Sequence, residues 1–156
     1  MVTKLQKELK QTKPFVSLEE EVILNLIRTA EYVTSRGAAL LKRADLTPTQ
    51  YNALRILRGA GEEGLACGEI GERMVTKDSD ITRLLDRLER RGLIRRERPD
   101  NNRRVVLTRI TDEGLALLSE LDGPVEESHR SLAGHLGRQR LKALNELLEA
   151  LREDGG

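Results

Sequence analysis

The hydrophobic positions of the chain repeat with helical spacing over much of its length, and the clearest repeat follows Asp80. Four apolar residues recur there at intervals of three and four, which places them on one face of an α-helix. They are Ile81, Leu84, Leu85 and Leu88. The opposite face carries Arg83, Asp86, Arg87 and Arg90. Because Gly92 supplies the left-handed residue that commonly ends a helix, the pattern predicts an amphipathic helix that stops there.

A β-hairpin is predicted directly after this helix. Residues 93–98 and 105–110 are two β-prone runs, and the polar residues 99–102 between them are typical of a turn. A helix followed by a two-stranded ribbon with a basic tip is the second half of a winged helix-turn-helix. Our working hypothesis is therefore that residues 80–104 read DNA.

The upstream residues predict further helices. A short basic arm ends at Pro14, and a capping box at residues 17–20 starts a long helix that runs toward Leu41. The apolar stripe of this helix is broader than a lone surface helix needs, so we expect part of it to face another subunit. A second capping box at residues 47–50 starts another helix, and a short helix follows over residues 68–74.

The downstream residues predict closing helices. Thr111 is placed to cap a helix after the ribbon, and we expect Gly123 and Pro124 to kink or interrupt it. A last helix over residues 138–152 has an apolar stripe formed by Leu141, Leu144, Leu147, Leu148 and Leu151. The order of elements predicts a fold that is mainly α with a small β-hairpin wing (α+β). This is a winged helix-turn-helix between N- and C-terminal helices that form a dimerisation region.

Charge is distributed unevenly along the chain. Residues 77–104 contain ten Lys or Arg and six Asp or Glu, a net charge of +4. The whole chain has 27 basic and 26 acidic residues, which leaves −3 for the remainder. This asymmetry is typical of a nucleic-acid-binding face on a nearly neutral body. A solvated charged helix and hairpin would give the same asymmetry, so charge alone does not decide between the two interpretations.

The composition indicates in which compartment the protein works and which type of nucleic acid it would bind. The chain has one cysteine and therefore no intramolecular disulfide. We find no apolar run of signal-peptide or membrane-span length, so we expect a cytoplasmic protein without a membrane partner. Only Phe15, Tyr32 and Tyr51 are aromatic, too few for the stacking surfaces that single-stranded nucleic-acid binders use. Double-stranded DNA is therefore the favoured partner.

The residues support other chemistries only weakly. Cys67, near a helix N-terminus, has the placement of a peroxide-sensing thiol, but a small residue tolerated near an N-cap is the preferred interpretation. Glu126 and His129 have helical metal-ligand spacing, yet even with His135 they fall short of a ligand set, so we predict no metal site. No set of nucleophile, base and orienting group can be assembled, and the glycine stretch lacks the features of a phosphate-binding loop. We therefore predict neither an enzyme nor a cofactor.

Three segments resemble the MarR family of bacterial transcriptional regulators. They are LTPTQYNALRIL at residues 46–57, ITRLLDRLERRGLIRR at 81–96 and RRVVLTRITDEG at 103–114. These segments look like the family's second helix, recognition helix and wing-to-helix junction. Their order and spacing extend the resemblance over essentially the whole chain.

The resemblance implies a homodimer in which each subunit presents a winged helix to half of a pseudo-palindrome. Residues 1–45 and 112–156 would be the intertwining dimerisation helices, and residues 46–111 the DNA-binding lobe, in one intertwined domain per subunit. Half-sites would lie roughly 10 base pairs apart. The expected dimer-interface residues are Val22, Ile23, Leu26, Leu144, Leu147, Leu148 and Leu151.

The expected DNA contacts come from the predicted recognition helix and the wing. They are Lys77, Ser79, Asp80, Thr82, Arg83, Arg87, Arg103 and Arg104.

Family members commonly carry Asp-x-Arg at the wing tip, where the Asp orients an Arg that enters the minor groove. Asn102 and Arg104 match these positions. An Asn accepts from guanidinium without charge assistance, so we expect weaker anchoring, with Asp100 nearby to compensate. Arg90 and Arg91, at the far end of the helix, are expected to be solvated.

The resemblance also implies a pocket for a small aromatic or phenolic effector between the dimer helices and the DNA-binding lobe. Arg28, Tyr32 and Tyr51 are candidate liners, although ordinary packing or surface exposure explains each equally well. The expected function is a DNA-binding transcriptional regulator that acts as a ligand-responsive repressor. The alternative is a winged helix used as a protein-interaction module, which predicts weak duplex binding without a steep salt dependence.

Overall fold

The computed structural model describes residues 1–77 and 80–153. Within those residues the chain forms seven α-helices and three short strands. The helices are α1 (Lys4–Glu8), α2 (Leu18–Lys42), α3 (Pro48–Ala60), α4 (Cys67–Arg73), α5 (Ile81–Arg90), α6 (Asp112–Ala133) and α7 (Arg138–Arg152). The strands are β1 (Leu65–Ala66), β2 (Ile94–Glu97) and β3 (Leu107–Ile110). The chain divides into two compact units, residues 1–39 and residues 40–156.

The first unit begins with a helix that is shorter than the basic arm suggested. Thr3 caps α1 in a reciprocal capping box with Gln6, and the helix ends before Lys10, which adopts a left-handed φ of 53°. At the start of α2, the Ser17 hydroxyl accepts a hydrogen bond from the Glu20 amide at 3.1 Å. The Glu20 carboxylate accepts from the Val16 amide at 2.6 Å, so both predicted capping groups bind backbone donors at this helix start.

The second unit contains the predicted three-helix arrangement around one core. The capping box at the start of α3 is confirmed, because the Thr47 hydroxyl accepts from the Gln50 amide and the Gln50 side chain accepts from the Thr47 amide. The inward faces of α3, α4 and α5 are almost fully buried. Their largest buried side chains are Leu54, Leu57, Ile70, Leu85 and Leu88. The apolar face predicted for the helix after Asp80 is therefore the face that packs into the core.

The hairpin is part of a three-stranded antiparallel sheet in the order β1, β3, β2. Ile94 pairs with Ile110 across the predicted hairpin, and Leu65 of the unpredicted strand β1 pairs with Thr108. Gly64, just before β1, has a φ of 69°, and a Cβ there would lie 2.7 Å from the Thr108 carbonyl oxygen. The close approach of β1 to β3 therefore requires glycine at this position.

The closing helices differ from expectation at one point. Residues 112–133 form one helix through Gly123 and Pro124, so the expected interruption is absent. Leu121 and Val125 lie on either side of this pair and are each 8% exposed. Their packing into the core offsets the backbone hydrogen bond that proline cannot donate. Within residues 1–77 and 80–153, no helix is both long and apolar enough to span a lipid bilayer.

Candidate nucleic-acid interface

The helix-turn-helix is formed by α4, the following turn and α5. Ile70 of α4 and Leu85 of α5 are both buried in the shared core. The amide of Val75, in the turn, donates to the Asn52 side-chain oxygen of α3 at 2.7 Å and so ties the turn to the preceding helix. Lys77 is exposed at the end of this turn. Residue 79, the predicted contact Ser79, lies outside the described part of the chain.

Asp80 has a structural role at the start of α5. Its Oδ1 atom accepts a hydrogen bond from the Arg83 amide at 3.0 Å, which makes it the N-cap of the helix. An acid placed toward DNA would repel phosphate, but an N-cap acid satisfies an orphan amide and interacts favourably with the helix dipole. The acid at position 80 is therefore explained by helix capping, and its predicted DNA contact stays a prediction.

The outer face of α5 carries two parallel rows of charge. Arg83, Arg87 and Arg90 follow one another at spacings of four and three residues, so they form one row, and all three are exposed. We call these residues the arginine row. Thr82 is exposed beside it. Because α5 is fixed to the core by its opposite face, the arginine row projects guanidinium groups from a rigid element.

The second row holds two acids, Asp86 and Glu89, and Arg96 of β2 binds both of them. Arg96 Nη2 lies 2.5 Å from an Asp86 oxygen and 2.8 Å from Glu89 Oε1. The Arg96 amide also donates to Glu89 Oε2 at 2.9 Å. The hydrogen bond from the Arg96 side chain lowers the pKa of the Glu89 carboxyl, and the same bond raises the pKa of the Arg96 guanidinium. The acids of α5 are thus partly neutralised by the wing strand, whereas the arginine row remains available.

Two side chains hold the backbone of the wing tip. Asn102 Oδ1 accepts from the backbone amide of Arg104 at 3.2 Å, so it shapes the turn. The anchoring of the Arg104 guanidinium by Asn102 stays a prediction, because an amide oxygen can accept a second hydrogen bond. Arg98 Nη1 donates to the Arg103 carbonyl at 2.5 Å and braces the loop from the other side. Asp100, Arg103 and Arg104 are exposed at this tip.

Sequence reasoning missed three arginines that organise the interface. Arg96 binds the acids of α5 and Arg98 braces the wing. Arg91 donates to the carbonyl oxygens of Asp45 at 2.6 Å and Ala44 at 3.1 Å. The sequence predicts a solvated Arg91, but this side chain binds backbone carbonyls in the turn that follows α2. The bonded residues lie 46 and 47 positions apart in the sequence, and contacts at such a separation produce no periodic pattern from which they could be predicted.

The candidate effector residues are placed differently from one another. Tyr51 lines a cavity of about 420 Å³ together with Arg55 and His129. The Tyr51 hydroxyl oxygen is buried, and within the described residues it has no hydrogen-bond partner. In the first unit, Arg28 forms an ion pair with Glu8 at 3.3 Å, and Tyr32 lies under the Arg36 guanidinium at 4.3 Å.

Cys67 and the two histidines belong to no metal-binding group within residues 1–77 and 80–153. Cys67 is the first residue of α4 and is half-buried, with Ala66 as the N-cap residue. In the described part of the chain, no three His, Cys, Asp or Glu side chains come together as a metal-binding group.

The predicted dimer residues lie on helices whose apolar stripes remain uncovered in the single chain. Within its described length α7 buries no residue, and Leu41 is the one buried residue of α2. Leu147 is 69% exposed, Leu144 and Leu151 are also exposed, and Leu148 is half-buried. On α2, Val22 and Ile23 are exposed and Leu26 is half-buried. Exposed leucines at helical spacing are typical of a face that another chain covers.

Comparison with known proteins agrees with this geometry. A family model described as MarR family matches residues 46–106. The chain is 41% identical to a MarR transcription factor from Planctomyces limnophilus of known crystal structure, with a TM-score of 0.68 over 88% of this chain and 99% of that one. It is 30% identical over 141 residues to the organic hydroperoxide resistance transcriptional regulator of Bacillus subtilis, covering 88% of this chain and 94% of that protein.

A third comparison concerns the fold alone. The chain superimposes with a TM-score of 0.79 on Sco3205, a MarR family regulator from Streptomyces coelicolor whose crystal structure was determined in complex with DNA. The two are 22% identical, over 92% of this chain and 91% of that one. The winged helix-turn-helix, the arginine row and the extent of these matches lead to one conclusion. The chain belongs to the MarR family and is a DNA-binding transcriptional regulator.

Proposed function

We propose that this regulator is a ligand-responsive repressor that binds pseudo-palindromic duplex DNA as a homodimer. The observation that carries the proposal is the arginine row on α5, exposed on a helix whose neighbouring acids are held by Arg96. Arginine recognises guanine edges in the major groove and also binds phosphates, so a rigid row of three supports both positioning and base reading. Arg104 at the exposed wing tip would contact the adjacent minor groove.

The homodimer is supported by the uncovered apolar stripes of α2 and α7. Burying several exposed leucines removes apolar surface from water. Each Å² buried contributes about 25 cal/mol of favourable free energy, which is the main driving force for association. A two-fold axis between two such chains would place two α5 helices on successive turns of the duplex, with half-sites roughly 10 base pairs apart. The operator is therefore expected to be a pseudo-palindrome.

The effector proposal is supported by the cavity at Tyr51. Within the described residues the buried Tyr51 hydroxyl has no hydrogen-bond partner, so a ligand could supply one, because an unpaired buried hydroxyl costs about 1 to 3 kcal/mol. Arg55 and His129 at the same cavity can donate hydrogen bonds to a phenol oxygen, and the acids Asp122 and Glu126, which also line it, can accept from a phenolic hydroxyl. We infer that the effector is a small aromatic or phenolic compound, whereas the roles of Arg28 and Tyr32 stay predictions from the sequence.

We infer that the protein acts by binding alone, without catalysis, and that it works in the cytoplasm, where the bacterial chromosome lies. An effector would release DNA only if it favours one arrangement of the two α5 helices over another, since differential affinity is what shifts a conformational equilibrium.

The experiment that tests the DNA proposal is selection of bound duplexes from a random pool by the full chain. We expect a two-fold related motif with half-sites about 10 base pairs apart. Recovery of unrelated duplexes with no common motif would contradict the proposal and favour the winged-helix protein-interaction module.

The effector proposal is tested separately by isothermal titration of a panel of aromatic acids and phenols. We expect a compound that binds the free protein and lowers its affinity for the selected duplex. Tyr51→Phe removes only the hydroxyl and should lower the affinity of the protein for that compound by about tenfold. This is the effect of losing one hydrogen bond of about 1.4 kcal/mol. If Tyr51→Phe and the wild type respond identically, the cavity at Tyr51 is not the effector site.

A further inference from the structure

A basic cleft lies at the far end of α5, where the recognition helix meets the end of α2 and the start of α3. We call it the corner cleft, and its volume is about 420 Å³. Its charged lining consists of Lys42, Arg87, Arg90 and Arg91 against a single acid, Asp45. Four positive side chains and one negative side chain leave a net charge of +3 in a small space. A cluster of this sign and density is suited to an anionic partner.

Arg91 builds this cleft. Its two terminal nitrogens hold the carbonyl oxygens of Asp45 and Ala44, directly after the end of α2. Asp45 adopts a left-handed φ of 54°, which turns the chain from α2 toward α3. Arg91 therefore fixes the chain reversal against α5 and, with it, the position of Lys42 at the cleft. It acts as a positioning residue.

The other three cations have no such partners in the part of the chain that the structure describes. Among the described residues, no ion pair forms with Lys42, Arg87 or Arg90, and all three side chains are exposed. By contrast, Arg96 on the other side of α5 is engaged with two acids. The positive charge at the corner cleft is thus available to a partner outside the chain.

The corner cleft continues the arginine row. Arg87 and Arg90 belong to both, and the seven residue-to-residue steps from Arg83 to Arg90 span about 10 Å of helix. A DNA strand carries one phosphate charge per 3.4 Å of helix axis, so the row matches roughly three nucleotides. Lys42 extends the basic surface beyond the helix to the corner at the end of α2.

We propose that the corner cleft holds backbone phosphates of the operator, with Lys42 and Arg90 as contacts outside the base-reading part of α5. This proposal rests on the proposed function, because it extends the DNA interface to a third element, the end of α2. A polyanion of fixed spacing fits better than a small free anion, since the contacting side chains are long and exposed. Phosphate contacts position the protein on the duplex without selecting sequence.

The test is a titration of the selected duplex and a scrambled duplex at several salt concentrations. The variants are Lys42→Gln and Arg90→Gln, each compared with the wild type. Lys142→Gln is the matched control, because it removes one exposed positive charge from α7. We expect each cleft variant to reduce the slope of log affinity against log salt by about 0.9, the value for one phosphate contact. The affinities of each cleft variant for the two duplexes should fall by the same factor. Lys142→Gln should leave both the slope and the affinities unchanged.

A second measurement locates the phosphate. Each phosphate of the selected duplex is replaced in turn by a neutral methylphosphonate, and the affinities of the wild type and Arg90→Gln are compared. At the proposed contact, neutralisation should weaken the wild type but not Arg90→Gln. Unfolding curves establish that Lys42→Gln and Arg90→Gln remain folded, as expected for exposed side chains.

The outcomes separate the two proposals. If Lys42→Gln and Arg90→Gln behave like Lys142→Gln while Arg83→Gln loses discrimination between the duplexes, the corner cleft is not a phosphate site and the proposed function stands. If the wild type itself shows neither a preferred duplex nor a salt-dependent affinity, both the proposed function and the corner-cleft proposal are overturned.

Discussion

Single side chains at the interface act mainly by fixing the backbone that presents the DNA-binding groups. Asn102 binds the Arg104 amide and Arg98 binds the Arg103 carbonyl, so the wing turn is held by two side chains. An Asn at this position provides the same turn-forming acceptor that an Asp would provide. Position 102 therefore orders the turn without adding an acid there that would repel phosphate.

The role of Asn102 can be tested by substitution. Asn102→Ala removes the acceptor for the Arg104 amide, so we expect about a three- to tenfold loss of DNA affinity, with stability changed by no more than about 0.5 kcal/mol. Asn102→Asp keeps the acceptor and should retain more affinity than Asn102→Ala. Fluorescence anisotropy measures both, and Asn101→Ala is the neighbouring control. Equal affinities for the two alanine variants would contradict this role.

The Glu89 to Arg96 pair predicts a dependence of stability on pH. The lowered pKa of Glu89 means that the folded chain binds this proton less readily than the unfolded chain. The stabilisation is complete above the ordinary pKa of 4.5 and is lost as the pH falls through the lower folded value. Solvent screens this partly exposed pair, so its contribution is at most about 1 kcal/mol.

Urea unfolding of the wild type and Glu89→Gln between pH 3 and pH 7 checks this expectation. The variant should be less stable at pH 7, and the difference should shrink as the solution becomes acidic. A constant difference over the whole range would show that ionisation of Glu89 does not stabilise the fold.

At the scale of elements, the parts of the fold with strong periodicity were predictable from the sequence. The apolar spacing placed α5, and the β-prone runs around the polar turn placed the hairpin. Strand β1 was not predictable, because two residues carry no periodic signal and depend on pairing with β3. The continuity of α6 through Pro124 was missed for a related reason, since burial on both sides overrides local propensity.

The contacts of the interface were less predictable than its elements. The residue types on the outer face of α5 follow from helical spacing, which is why the sequence predicts Arg83 and Arg87 as DNA contacts; these contacts stay predictions. The partners of Arg91 and Arg96 depend on tertiary geometry, so the sequence indicated their charge but not their use.

Arg91 joins two elements, and its removal should affect both stability and DNA recognition. Arg91→Gln loses charge-assisted hydrogen bonds to the Ala44 and Asp45 carbonyls, so we expect the free energy of unfolding to fall by about 1 to 2 kcal/mol. Because α5 would lose its tie to the end of α2, preference for the selected duplex over the scrambled duplex should also fall. Chemical unfolding and anisotropy measure the two effects. Wild-type behaviour in both would show that the contact has no positioning role.

At the scale of the whole molecule, a single chain leaves the apolar stripes of α2 and α7 exposed to solvent. A regulator that reads a pseudo-palindrome needs two DNA-binding lobes at a fixed separation, and association through these helices would provide it. Dimerisation and operator affinity are therefore expected to be lost together.

Leu147→Glu tests this dependence, because it places a charge in the middle of the exposed α7 stripe. We expect sedimentation to show a monomer and operator affinity to fall by at least about 100-fold, since each lobe would bind alone. Lys142→Glu on the opposite face of α7 is the control and should remain dimeric. A Leu147→Glu variant that stays dimeric and binds the operator normally would place the interface elsewhere.

The central claim, recognition of duplex DNA by the exposed face of α5, is tested most directly by one titration series. The full chain is titrated into the selected duplex and into a scrambled duplex of equal length and composition, from about 50 to 200 mM salt. We predict at least about 1,000-fold preference for the selected duplex and a steep fall of affinity with salt, with the preference reduced in Arg83→Ala. Equal, weak and salt-insensitive binding to both duplexes would contradict the account.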